Sequence, residues 1–328
     1  MIRKKILTSV LTFAIVSAVC GCSSDDAVNQ ASAITESPAE ITEAPAEITE
    51  MPAEPEEDKA DIPEDENWRM SGSKEAFEAH FEIDEKEYKA KTENTGEMLD
   101  VTYHSEVVHG DRHINVYLPY GYDENKEYPV VYMIHGLGCD CSQWVSQGAA
   151  NIIENCIAKG EVEPFIAVFP SVIPKDGLTK DSFSDENINA FAMFADEWQQ
   201  DLHPYILANY SVSDKREDTA VCGLSMGGME ALRLGFSKLD RFAYIGSFSA
   251  APSLEIELLT TEGSEYAPNG CIICSGDKDN TVGDNPYNYH MALVDNNVDH
   301  IWYKHPGGNH APIVWNTGLV NFLRICFK

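Results

Sequence analysis

The stretch Thr219–Glu230 reads TAVCGLSMGGME and places Ser225 at the centre of Gly223-Leu224-Ser225-Met226-Gly227. Thr219 to Cys222 is short and largely apolar, as a buried strand is, whereas Met229-Glu230-Ala231-Leu232-Arg233-Leu234 are all good helix formers. Ser225 is therefore expected on a strand-to-helix turn. A turn that tight strains the serine backbone, and glycines two before and two after it let neighbouring backbone approach without a Cβ clash. The hydroxyl then stands at the C-terminal edge of a sheet. Beside it lie the free N–H groups of a helix N-terminus, which suit an oxygen that becomes negative. The five-residue pattern is weak alone and becomes strong only if a histidine and a carboxylate follow in suitable places.

Outward from the turn, the apolar run Tyr128–Ile134 reads as a central strand covered on both faces and ends in His135-Gly136-Leu137-Gly138. Before it, Leu99–Val108 and Arg112–Leu118 alternate as half-buried strands, with His109-Gly110-Asp111 as their turn, and Lys74–Tyr88 carries a weak helical pattern. After it come a helix around Gln147–Ala158, a strand Phe165–Phe169, a long loop Ser171–Glu186 and a helix Ile188–Ala208. Strands at Phe242–Phe248, Cys271–Cys274 and His300–Tyr303, and helices at Tyr287–Val294 and from about Ile313, complete the pattern. This alternation implies the α/β class, with a mostly parallel sheet, helices on both faces, and active residues at the carboxyl ends of strands.

Two further segments fall at such ends. One strand runs from Cys271 into a polar turn with two carboxylates, Asp277 and Asp279, and another runs from His300 into a glycine loop that ends in His310. The order Ser, Asp, His is that of α/β-hydrolases.

Lys and Arg number 23 against 54 Asp and Glu, for a formal charge of −31 over 328 residues. That balance argues against a nucleic-acid partner, which needs clustered cations, and the length allows one large domain plus an extension. At the N-terminus, Arg3-Lys4-Lys5 and the apolar run Ile6–Val19 form the n-region and h-region of an export signal, shorter than the ~20 residues of a spanning helix. Val19-Cys20-Gly21-Cys22-Ser23-Ser24 resembles a bacterial lipobox, in which the cysteine after a small residue is lipidated and becomes the mature N-terminus. The resemblance implies lipidation at Cys22, since Gly21 is small and Val19 is not; an ordinary secretory signal is the alternative.

From Ser23 to about Glu66 three copies of one heptad, beginning at Ile34, Ile41 and Ile48, each carry a proline, which rules out a coiled coil because each costs about 3 kcal/mol inside a helix. Low hydrophobicity and repelling glutamates make an extended, disordered acidic spacer instead. The expected organisation is a signal and anchor over 1–22, a linker over 23–66 and a folded domain over 67–328.

Val116-Tyr-Leu-Pro-Tyr-Gly-Tyr122, Tyr128 to Gly136, Trp144, Gly223 to Gly228, Phe248-Ser-Ala250, and Gly307-Gly-Asn-His310 with Trp315 and Phe322 resemble the esterase D-type, carbohydrate esterase family 1 group of the α/β-hydrolase fold. The resemblance covers about Val101 to Phe327. It implies Ser225 as nucleophile, His310 as general base, and Asp279 as the orienting acid, with Asp277 as competitor. It also implies oxyanion donors at the N–H of Met226 and, just after His135-Gly136, of Leu137. In that chemistry the base takes the serine proton during attack on an ester carbonyl and returns one to the leaving alcohol, while the acid holds the imidazole in the useful tautomer.

Other conspicuous residues read as structural. His135 is a strand-end scaffold, and His203 an ordinary polar position on a helix without metal-ligand spacing. Cys271 and Cys274, three apart on a strand, point to opposite faces, which argues against a shared metal or redox role. Beyond Cys20 and Cys22 the odd number of cysteines argues against a full disulfide framework, although a bridge involving Cys139 or Cys141 stays open.

The group contains feruloyl and acetylxylan esterases, so the expected protein is a surface-anchored serine esterase that acts without cofactor or metal on acyl groups of plant cell-wall polysaccharide. Its partners are an ester-bearing polysaccharide or oligosaccharide and, through the anchor alone, a membrane. The alternatives are a siderophore or small-ester hydrolase, an acyltransferase of the mycolyltransferase type, and a binding module on an inactive hydrolase fold.

Overall fold

A computed structural model describes residues 68–69 by their backbone, and residues 81 and 83–328. The export signal with Cys22, the linker to Glu66 and the first half of the weak helical stretch lie outside the described residues. Within them, the strands β1 (Trp68–Arg69), β2 (Glu97–Ser105), β3 (Gly110–Leu118), β4 (Val130–Ile134), β5 (Ile166–Pro170), β6 (Thr219–Leu224), β7 (Tyr244–Phe248), β8 (Gly270–Gly276) and β9 (Ile301–His305) form one sheet. Their order is β1-β9-β8-β7-β6-β4-β5-β3-β2. The run β5-β4-β6-β7-β8-β9 is parallel throughout, and β3, β2 and β1 extend its two sides antiparallel.

Every residue of β4, β5, β6 and β7 is buried, as their unbroken apolar runs require of strands covered on both faces. Alternation divides their side chains between two layers. Val130, Tyr132, Ile134, Val221 and Ile245 pack with the helices that carry Trp198, Leu232 and Leu293. Val131, Met133, Ala220 and Cys222 pack on the other face, against the helices that carry Ile152 and Phe322. Cys271 joins the first layer and Cys274 the second, and all seven described cysteines are free thiols.

Three local expectations change. The β2–β3 turn comes earlier than expected: Gly110 and Asp111 already pair within the ladder, and His109 takes the left-handed backbone (φ 53°) that closes the turn. The helix expected around Gln147–Ala158 is found at Ala149–Ala158, and a short helix not expected, Ser142–Ser146, precedes it, the two being divided at Gly148 with φ 91°. The helix expected from Ile188 starts at Asp185, where the Ser184 hydroxyl accepts the Asn187 N–H, and runs to Asn209 through a π-helical turn at Trp198–Leu202.

That helix also corrects the expectation for His203. Instead of an ordinary polar position it is a core residue, 4% exposed, stacked on Trp198 at 4.6 Å and 2.7 Å from the Tyr132 hydroxyl. Its ring turns inward where Trp198, Tyr132 and Phe242 form an aromatic cluster that accepts its flat face.

The same helix anchors the antiparallel side. Arg112 on β3 donates to Glu197 through Nε at 2.8 Å and Nη2 at 3.0 Å, and the Tyr103 hydroxyl donates to the same carboxylate at 2.7 Å. Both charges are nearly sealed from water, Arg112 at 3% and Glu197 at 1% exposed. Removing one partner strands the other as an uncompensated buried charge. Glu197→Ala is expected to lower unfolding stability by about 3–5 kcal/mol in urea titrations; a loss under about 1 kcal/mol would show that the pair adds little.

Candidate active site

Ser225 follows β6 with φ 55° and ψ −121°, a conformation few side chains tolerate, and the helix Met226–Ser237 begins at the next residue. The surrounding hydrogen bonds over-determine this strain. The Ser225 N–H donates to Phe248 O at 2.8 Å, and its carbonyl accepts from the N–H groups of Gly228, Met229 and Ala251 at 3.0, 3.1 and 3.0 Å. Backbone here packs on backbone: a Cβ on Gly223 would meet Gly227 O at 2.1 Å, and one on Gly227 would meet His135 O at 2.4 Å.

That second contact sets the start of the helix directly against the end of β4. Met226 is the first helical residue, so its N–H lies beyond the reach of any intrahelical acceptor. Gly136, next to Leu137, comes so near that a Cβ on it would lie 3.4 Å from Ser225 Cβ. The loop is pinned from behind: Gln143 Oε1 accepts the Gly136 N–H at 2.7 Å, and the Trp144 indole donates to Ile134 O at 3.0 Å. The N–H groups assigned to oxyanion binding thus belong to two rigid segments that meet beside Ser225.

The acid and the histidine come from the neighbouring strand ends. Asp279 Oδ2 lies 2.9 Å from His310 Nδ1. A carboxylate can only accept, so Nδ1 carries a proton, and in the neutral ring Nε2 is then the nitrogen with the lone pair. Thr281 and Val282 donate their N–H groups to Asp279 Oδ1 at 3.2 and 3.4 Å. Asp277 is exposed, while Asp279 is buried; the structure brings only Asp279 to the imidazole. The two loops are joined by Asp277 N–H to His305 O at 3.1 Å and Lys278 N–H to Gly308 O at 2.8 Å, an approach that a Cβ on Gly276 would block at 2.3 Å.

Burial pushes the Asp279 carboxyl up, but the His310 ring, the Ser249 hydroxyl and the Val282 N–H together hold it below the usual carboxylate range. The Ser249 hydroxyl acts on that charge from nearby without completing a well-formed hydrogen bond. His310 sits against the edge of Trp315 at 5.4 Å, and Trp315 in turn donates to Gln147 Oε1 at 2.6 Å. Among the described residues no hydrogen bond joins Ser225 to His310; contacts of this kind commonly tighten when substrate fills the site.

His135 is not part of this chemistry. Nδ1 lies 2.7 Å from Gly136 O and Nε2 accepts the Val172 N–H at 2.8 Å, while burial pushes its pKa down to about 4 and keeps the ring neutral. Several supporting residues carry no motif in the sequence. Gln143 accepts from a backbone N–H seven residues before it, and Gln147 meets Trp315 only through chain folding. Glu230, fully buried on the elbow helix, accepts from Arg233 at 2.8 Å; burial pushes it up to about 8 against the pull of that guanidinium. Among the described residues no cluster of three or more metal-ligating side chains occurs.

A strained serine on a glycine-lined turn, backbone donors beside it and a carboxylate-held histidine on one edge of a parallel sheet define the α/β-hydrolase class. Residues 105–316 match the Esterase family, described as "Putative esterase". The chain belongs to that family of carboxylic ester hydrolases. It is 34% identical to a CE1 ferulic acid esterase from Anaeromyces mucronatus solved in complex with ferulic acid, with a TM-score of 0.69 over 75% of this chain and 96% of that one. It is also 35% identical over 202 residues to an endo-1,4-beta-xylanase/feruloyl esterase from Xylanibacter ruminicola, covering 58% of this chain and 26% of that protein. A third relative, endo-1,4-beta-xylanase Y from Acetivibrio thermocellus, is 31% identical over 45% of this chain and 14% of its own length. The chain therefore spans about a quarter or less of the curated relatives it matches.

Asp279→Asn is expected to lower kcat on p-nitrophenyl acetate by roughly 10⁴-fold, because an amide favours the wrong imidazole tautomer. Asp277→Asn, on a solvated turn, should cost far less. The reverse ranking in purified, folded variants would move the acid by two residues.

Proposed function

We propose that the protein is an exported serine carboxylic-ester hydrolase that removes feruloyl or acetyl groups from xylan through an acyl-enzyme. Ser225 Oγ attacks the ester carbonyl, His310 Nε2 takes its proton, and Asp279 stabilises the resulting imidazolium. The N–H groups of Met226 and Leu137 bind the tetrahedral oxyanion; loss of one such donor typically costs about 3–4 kcal/mol. The alkoxide leaves with the proton from His310, and water attacks the acyl-serine by the same route in reverse.

The observation that carries this reading is the Asp279–His310 pair at 2.9 Å on the same sheet edge as the strained Ser225. For the substrate, the support is the 34% identity that spans 96% of a ferulic acid esterase holding ferulic acid. The wild-type domain from residue 67 onward should release ferulate, p-coumarate or acetate from arabinoxylan, and Ser225→Ala should abolish that release with the fold intact, since triad members act as a unit. Release by purified Ser225→Ala would end the serine-esterase reading.

The reading includes placement at the cell surface. Cys22 carries the lipid, several buried acyl CH2 groups at about 0.8 kcal/mol each make attachment durable, and the acidic heptads form the tether between anchor and domain. Mass spectrometry of the mature protein should find a lipid-modified Cys22 at the N-terminus. An unmodified N-terminus, or a protein free in the medium with Cys22 intact, would contradict the anchor.

A further inference from the structure

At the opposite edge of the sheet from Ser225, a pocket of about 430 Å³ opens between the segment around Thr92–Asn94, the end of β3 and the last turn of the helix Ala149–Ala158. The topology places it there. β3 runs antiparallel to β5, with Tyr117 opposite Ala167. Residues just after Leu118 therefore lie where the parallel strands begin, whereas Ser225, Asp279 and His310 follow the strands' ends.

Three side chains set the chemistry of this pocket. Tyr120 is 64% exposed and offers an aromatic face at the mouth. Tyr117 lines the interior at 1% exposed, and its hydroxyl has no hydrogen-bond partner. Burial and the neighbouring Glu154 carboxylate push that hydroxyl's pKa up, so it stays an O–H donor at neutral pH. Glu154, also buried, is held by Thr92 Oγ1 at 2.9 Å and the Gly96 N–H at 2.8 Å, and each carboxylate oxygen keeps acceptor capacity to spare. Pro119, Ile157, Ala158 and Pro164 supply the apolar part of the wall, and Thr92, Glu93 and Asn94 add further polar groups.

A buried unpaired donor is costly in the free protein, and a ligand acceptor recovers that cost. The carboxylates of Glu93 and Glu154 in the wall disfavour an anion, and the unpartnered Tyr117 O–H calls for an acceptor that an ammonium or guanidinium group lacks, so the fitting ligand is neutral. It needs an apolar face for Tyr120 and hydroxyls for the buried polar groups, which is the surface pattern of a pyranose ring. We propose that this pocket is a second, non-catalytic site that binds a neutral polysaccharide chain. One polymer held here and at the catalytic edge gains effective concentration that a small ester cannot. The choice of xylan as probe rests on the proposed substrate; the site itself does not.

Retention on de-esterified insoluble xylan, which offers no acyl group, tests the site apart from the esterase reading. Wild-type protein should be retained, and Tyr120→Ala should weaken retention by about fivefold to tenfold while turning over methyl ferulate at the wild-type rate. Tyr117→Phe keeps the ring and removes only an unpaired hydroxyl, so it should also weaken retention with Tm unchanged or raised. No retention of the wild type, wild-type retention in either variant, or a parallel loss of methyl ferulate turnover in Tyr120→Ala would overturn the proposal. Tyrosine-dependent retention by a protein inactive on ferulate esters would count against the proposed substrate and leave this site standing.

Discussion

Backbone packed on backbone at the elbow is the constraint from which the rest of the site follows. Gly223 and Gly227 admit carbonyls where any side chain would collide, at 2.1 and 2.4 Å from a hypothetical Cβ. That closeness lets the helix start immediately after β6 and lie against the end of β4. Two consequences follow: Ser225 is held at φ 55°, and the backbone of Gly136 comes close to it at the start of the helix. The strain is sustained by the four hydrogen bonds on the Ser225 peptide groups and by a sheet buried on both faces.

The second requirement is that two loops from adjacent strands meet with little tolerance. Gly276 against Gly308, and the paired backbone bonds at Asp277 and Lys278, bring the turn after β8 onto the loop after β9. Asp279 is thereby buried and aimed at Nδ1, while Asp277, two residues earlier, faces solvent. Selectivity between the carboxylates is thus a property of turn geometry rather than of intrinsic acidity. Ser249, itself at φ 47° after β7, adds its hydroxyl to the same neighbourhood.

Much of this was legible in the residues because the signals are local. Unbroken apolar runs such as Val130–Ile134 mark strands buried on both faces, and glycines around Ser225 mark a turn that only small residues permit. The choice of Asp279 came from resemblance, since nothing in the spacing of two turn carboxylates says which one faces inward. Less legible were side-chain contacts that no local pattern announces. Gln143 under Gly136, Gln147 on Trp315 and Arg112 on Glu197 join residues whose pairing leaves no periodic trace. His203 reads as an ordinary polar position in the sequence because its partners Tyr132 and Trp198 become neighbours only when the helix turns its aromatic face to the sheet. The break at Gly148 was visible as a glycine but not as a left-handed one.

The central claim is that the Ser225 hydroxyl is the activated nucleophile, and covalent labelling tests it most directly. Incubation of the folded domain with a fluorophosphonate, followed by intact-mass and peptide mapping, should give one phosphonyl adduct, located on the peptide that contains Ser225 and absent from His310→Ala under the same conditions. An adduct at another serine, or no adduct on protein that is folded and hydrolyses esters, would contradict the account.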